Sequence, residues 1–145
     1  MSENKPILCL DFDGVLHNYT SGWKGANVIP DGPVPGAMAF LIEATKRFRV
    51  AVFSSRSNQE NGISAMRFRI AHWLRLHLLN DTGCDDGNAD LSNNLRMEWD
   101  RVLRALEWPL EKPPALVTID DRAITFTGTF PDLDVIANFK PWNKP

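Results

Sequence analysis

Two carboxylates one residue apart, Asp11 and Asp13, follow directly on the apolar run Ile7-Leu8-Cys9-Leu10. A second acidic pair, Asp120-Asp121, follows another apolar run, Ala115 to Ile119. Four carboxylates brought to one place repel one another, at roughly 4 kcal/mol for two charges about 4 Å apart at an effective dielectric near 20. A divalent cation offsets that cost. The candidate ligands are all oxygens, which favours Mg²⁺ over zinc or copper. In an extended segment residues i and i+2 point the same way, so Asp11 and Asp13 could approach one substrate together. One would attack as a nucleophile while the other handles protons. Ser54, after the run Val50 to Phe53, could donate a hydrogen bond to a phosphoryl oxygen. Lys112, just ahead of the third apolar run, could neutralise the nucleophile and the phosphoryl oxygens.

These residues need elements that deliver them to one edge. The short continuous apolar runs 7–10, 50–53 and 115–119, each ending in polar residues, read as strands buried on both faces. Helical periodicity covers 36–48, with Ala37, Leu41, Ala44 and Phe48 on one face. It returns over 59–79, with Ile63, Met66, Ile70, Trp73 and His77 inward, and over 95–108, with Leu95, Trp99, Val102 and Leu106 inward. Pro109, Pro113 and Pro114 end the last of these and force an extended connection. Residues 17–35, rich in Gly, Pro, Asn and Ser, read as an irregular excursion or short hairpin, and 80–94 as a polar loop. The tail holds a short apolar segment at 124–126 and a helix near 132–139. Strands alternating with helices give an α/β domain with a mainly parallel sheet, and sites in such sheets form beyond the carboxyl ends of the strands.

The whole chain bounds the reading. Its 145 residues, 43% hydrophobic and 23% charged, suit one domain spanning residues 1–145. A net charge of −2 sets up no field that draws polyanions or acidic membranes. Cys9 and Cys84 form no metal-ligand or CxxC pattern and are expected to be free thiols, without disulfides, in a reducing compartment. No signal-like N-terminus and no apolar run long enough to span a membrane is present, so a soluble cytoplasmic protein is expected.

In their order and placement the motifs resemble the haloacid dehalogenase (HAD) superfamily of phosphohydrolases. Asp11-Phe12-Asp13-Gly14-Val15 is similar to the first motif and Val52-Phe53-Ser54 to the second. Lys112 corresponds to the third and Thr118-Ile119-Asp120-Asp121 to the fourth. The resemblance implies a Rossmann-like HAD core, a central sheet flanked by helices. It implies that Asp11 forms an aspartyl-phosphate, that Asp13 is the general acid/base, and that Ser54 and Lys112 hold the phosphoryl group. Mg²⁺ would bind Asp11, the backbone carbonyl of Asp13 and the pair Asp120 and Asp121, of which either one, Asp121 before Asp120, would touch the metal directly. The second acid, Asp13, points to the phosphatase branch rather than the dehalogenases. The stretches between motifs leave no room for a full cap domain, as in the capless, small phage-type members. The resemblance therefore implies a phosphomonoesterase acting on an unknown phosphorylated substrate, a small molecule or, through an open site, a nucleic acid end or a phosphoprotein. A nucleic acid end-processing phosphatase and a non-catalytic phosphate- or Mg²⁺-binding module are the alternatives.

Other features have plainer readings. Asp-Gly after a strand also makes a turn, and Ser54 and Lys112 by themselves would be a turn residue and a solvated lysine. Arg56 and Arg122 each follow a motif and either reach a phosphate or make surface ion pairs. Trp23 and Lys24 lie where a rim over the substrate would form. His17 is near the nucleophile without an evident partner. His72 and His77 stand about 140° apart on a helix and make no metal pair. The acidic residues at 81, 85, 86 and 90 read as a solvated loop, and Arg67, Arg69 and Arg75 as the wet face of a helix. Trp73, Trp99 and Trp108 read as core.

Overall fold

A computed structural model describes residues 4–81 and 91–144. Cys84 and most of the acidic loop lie outside the described residues. Among the described residues seven elements follow in chain order: β1 (Ile7–Leu10), α1 (Ala37–Arg47), β2 (Arg49–Val52), α2 (Gly62–Asp81), α3 (Asn93–Ala105), β3 (Val117–Ile119) and α4 (Leu133–Ala137). The three strands form one open parallel sheet in the order β2-β1-β3. Leu8 is opposite both Val50 and Val117 in the register.

Alternation along the strands divides the sheet's two faces. Leu8, Leu10, Val50 and Val52 point into the core with Leu41 of α1, Met66, Ile70 and Leu74 of α2, and Val102 of α3. The expected inner faces hold, with α2 adding Leu74 and Leu78, while His77 is half-buried. Trp73 is buried, and Trp99 and Trp108 pack against the core part-buried. Trp99 also donates through Nε1 to the carbonyl of Ala71 at 2.9 Å, tying α3 to α2. Ser92 caps α3 by accepting from the Leu95 amide, and Pro109 sits beyond its end, so α3 stops short of Trp108. The Cys9 thiol is free and buried, and burial raises its pKa.

After α3 the chain touches the outer side of β2. The Glu107 amide donates to the Val50 carbonyl and the Val52 amide to the Glu107 carbonyl, both at 2.9 Å. Arg49 clasps the Glu107 carboxylate with two hydrogen bonds, 2.7 and 2.9 Å. Residues 108–114 then cross to β3 on the far side of β1. That crossing walls a cavity of about 860 Å³ with Ile7 and Ala51, which alternate with the core-facing residues. The neighbours of β1 are thus reached in opposite directions, and the carboxyl ends of β1 and β3 form a switch point.

One expectation fails. The third strand was expected to be buried, yet β3 is exposed throughout, with Val117 and Ile119 open to solvent. It is an edge strand, and α1, α2 and α3 pack over β1 and β2 instead. An apolar run states what a strand can bury, not whether a helix lies over it. The segment from Ile124 to Phe126 is likewise exposed. The tail helix is α4, capped by Asp132 through the Asp134 amide. Among the described residues no helix is long and apolar enough to cross a membrane.

Candidate active site

Asp11 continues the ladder one residue past β1, its amide donating to the Ile119 carbonyl at 3.0 Å. This pairing sets Asp11 beside Asp120 and Asp121, which follow β3 directly. Among the described residues, the carboxylates of Asp11, Asp120 and Asp121 form one group whose ligand atoms lie within 4.8 Å of one another. Phe12, fully buried, anchors the loop in the core. Its amide donates to Asp11 Oδ1 at 2.8 Å and fixes the carboxylate's direction.

The Asp121 side chain is 2% exposed, and neither oxygen has a hydrogen-bond partner outside the acid cluster. Arg122 Nε is 3.8 Å from its Oδ2. Asp120 is exposed and accepts the Arg122 amide at 2.9 Å. Two orphaned carboxylate oxygens in a buried position carry a desolvation cost that a bound cation would offset. Burial pushes the Asp11 carboxyl up to about 8, and the neighbouring charges of Asp120 and Asp121 push the same way, against the Phe12 hydrogen bond. Asp121 is also raised, first by burial and then by Asp120. The three carboxylates fit a hard, oxygen-seeking cation of the Mg²⁺ kind.

The Asp13 carboxylate stands outside this group, contrary to the expected gathering of four acids. The chain turns after Phe12: Gly14 has φ of 81°, and the amides of Leu16 and His17 both donate to the Phe12 carbonyl. The turn sends Asp13 to a different set of partners. Oδ1 is 2.9 Å from His17 Nδ1, and Arg56 Nε reaches Oδ1 at 3.1 Å and Oδ2 at 2.9 Å. Arg56 is fully buried, not a surface ion pair. Its Nη1 lies 2.8–3.2 Å from the carbonyls of Gly25, Ala26 and Val28, and its guanidinium covers one face of Trp23 at 4.7 Å. Trp23, 44% exposed, and the exposed Lys24 lie on that excursion.

Ser54, directly beyond β2, is buried. Its hydroxyl oxygen accepts the Arg56 amide at 3.2 Å, leaving the hydroxyl proton free to donate. Its own amide donates to Ser57 Oγ at 3.0 Å. Gly62, at the start of α2, has no room for a β-carbon against the Arg56 carbonyl, so the 54–57 turn packs tightly on the helix. Lys112 lies exposed on the crossing and walls the cavity beneath the sheet. Its charge is felt at Cys9 in mid-strand, alongside those of Asp11 and Asp120.

Sequence reasoning left His17 without a partner and divided Arg56 between two roles. The signal available was spacing: His17 is four residues after Asp13, and Arg56 is two after Ser54. The tail's contacts with the loop after β1 were missed altogether. Trp142 Nε1 donates to the Gly14 carbonyl at 2.7 Å, and Asn143 Nδ2 to the Asn18 carbonyl at 2.7 Å. No family model matches the chain, and no match is found among the curated proteins or the solved structures.

Proposed function

We propose that the protein is a Mg²⁺-dependent phosphomonoesterase of the HAD type that works through an aspartyl-phosphate on Asp11. The observation that carries this reading is the cluster of Asp11, Asp120 and Asp121 at the β1/β3 switch point, with both Asp121 oxygens buried and without a partner outside the cluster. Such a cluster is poor as a structural device, since three carboxylates repel without opposing partners.

Asp11, Asp120 and Asp121 would hold Mg²⁺, together with the carbonyl of Asp13. The cation supplies charge neutralisation for the acids and the phosphoryl oxygens. Asp11 attacks phosphorus as the ester P–O bond breaks, and Asp13 gives its proton to the departing alkoxide. Asp13 then takes a proton from water as that water attacks the acyl phosphate, releasing inorganic phosphate and restoring Asp11. The Ser54 hydroxyl, with its proton uncommitted, donates to a phosphoryl oxygen, while Lys112, on the cavity side of the sheet, has no contact with the acid cluster that supports a phosphoryl-binding role. The exposed face of Trp23 supplies a wall for the substrate's leaving group. The site takes an unidentified phosphorylated substrate in the open manner of a capless enzyme, within a Rossmann-like core.

Labelled phosphoryl transfer tests this. A hydroxylamine-labile adduct, trapped by acid quench in the wild type and absent in Asp11→Asn, is the expected result. An adduct that persists in Asp11→Asn would overturn the assignment of the nucleophile.

A further inference from the structure

We propose that His17 and Arg56 are positioning residues that clamp Asp13 so that it exchanges protons through Oδ2 alone. The inference rests on the reading of Asp13 as the proton-transfer group. His17 Nε2 accepts the Asp31 amide at 3.2 Å, so the imidazole proton sits on Nδ1 and is donated to Asp13 Oδ1 at 2.9 Å. Asp31 is itself fixed, accepting Ser21 Oγ and the Ser21 amide at 2.6 and 2.8 Å, while Arg69 Nη2 donates to its carbonyl at 3.1 Å. The imidazole is buried between the rings of Phe12, Tyr19 and Trp73.

A carboxylate has about four acceptor positions. His17 takes one on Oδ1, and the single Arg56 Nε–H, shared between the two oxygens, covers the other on Oδ1 and one on Oδ2. One position on Oδ2 remains, so proton exchange has a single direction. Arg56 carries a second consequence. The guanidinium that orients Asp13 also gathers the carbonyls of Gly25, Ala26 and Val28 and backs Trp23. One buried cation therefore registers the rim of the site against its proton-transfer group. A buried charge of this kind is a costly way to fill space, since well-packed apolar residues do as well or better.

The test compares His17→Leu with His17→Asn, whose amide can replace the Nδ1 donor, on an aryl phosphate below the melting temperature of each. His17→Leu is expected to lose about 10²-fold in kcat with KM unchanged, the effect of a reacting group misplaced by about 1 Å. His17→Asn is expected to return kcat to near the wild-type value. Equal kcat in all three, or a loss in His17→Leu that His17→Asn does not recover, overturns the clamp. Nitrogen-15 shifts of the wild-type imidazole give an arm independent of catalysis and of variant folding. A proton on Nδ1 supports the clamp, and a proton on Nε2 overturns it. A wild type that releases no phosphate removes the phosphatase reading and the kinetic claim with it, while the tautomer still decides the clamp.

Discussion

Gly14 and Asp121 stand so close that a β-carbon on Gly14 would overlap the Asp121 carboxylate. Gly14 also has φ of 81°, in the left-handed region. The glycine after the first acidic pair is therefore what lets the loop from β1 close over the acid after β3. Gly14→Ala is expected to lose about 1–2 kcal/mol to the left-handed backbone alone, with more from the overlap. It should also weaken Mg²⁺ binding by displacing Asp121. Urea unfolding and calorimetric Mg²⁺ titration check both, and a variant equal to wild type in each would contradict the packing.

The acid cluster makes metal-free stability depend on pH. Asp11 titrates near 8 in the fold against 3.8 when unfolded, chiefly because it is buried, and Asp121 is raised in the same direction. Across that window the folded state binds a proton that the unfolded state does not. The associated stability is complete below about pH 4 and is lost as pH rises toward 8. Bound Mg²⁺ would take the proton's place. In chelator the thermal midpoint is expected to fall between about pH 5 and pH 8, and the increment from Mg²⁺ to grow over the same range. A Mg²⁺ increment that shrinks with rising pH would contradict the assignment.

Asp121→Asn should separate stability from function. Removing one of three clustered carboxylates is expected to stabilise the metal-free protein by about 1–3 kcal/mol near neutral pH, since the amide carries no charge. The same change should remove most Mg²⁺ affinity. Chemical denaturation with and without Mg²⁺ reads both effects, and a destabilised metal-free variant would show that the carboxylate serves the fold.

Trp142 braces the loop that carries Asp13, through its hydrogen bond to the Gly14 carbonyl. Trp142→Phe keeps the ring and removes the donor. A loss of about 1 kcal/mol in unfolding free energy is expected. Faster amide exchange in residues 12–18 should accompany it, and unchanged exchange there would show that the tail does not steady the site.

Much of this was legible in the residues. The apolar runs gave β1 at its observed bounds and β2 to within a residue, and helical periodicity found α1, α2 and α3. The apolar runs end where Asp11, Ser54 and Asp120 begin, and a parallel sheet brings such ends together. The exposure of β3 was not legible, because a strand's hydrophobicity does not report whether a neighbour covers it. The divergence of Asp13 from Asp11 was hidden as well. The i, i+2 rule assumes extended backbone, and the chain bends at Phe12, between the two acids, where the Phe12 carbonyl accepts the amides of Leu16 and His17. Arg56 was ambiguous because its partners, Asp13 and the carbonyls at 25, 26 and 28, come from a segment with no periodicity. The Trp142 contact spans 128 positions, beyond any local pattern.

The most direct test of the account is release of inorganic phosphate from an aryl phosphate by the wild type and by Asp11→Asn, each with Mg²⁺ and with chelator. The account predicts release by the wild type with Mg²⁺ only, and none from Asp11→Asn under either condition. Release that survives chelation, or that persists in Asp11→Asn, would contradict it.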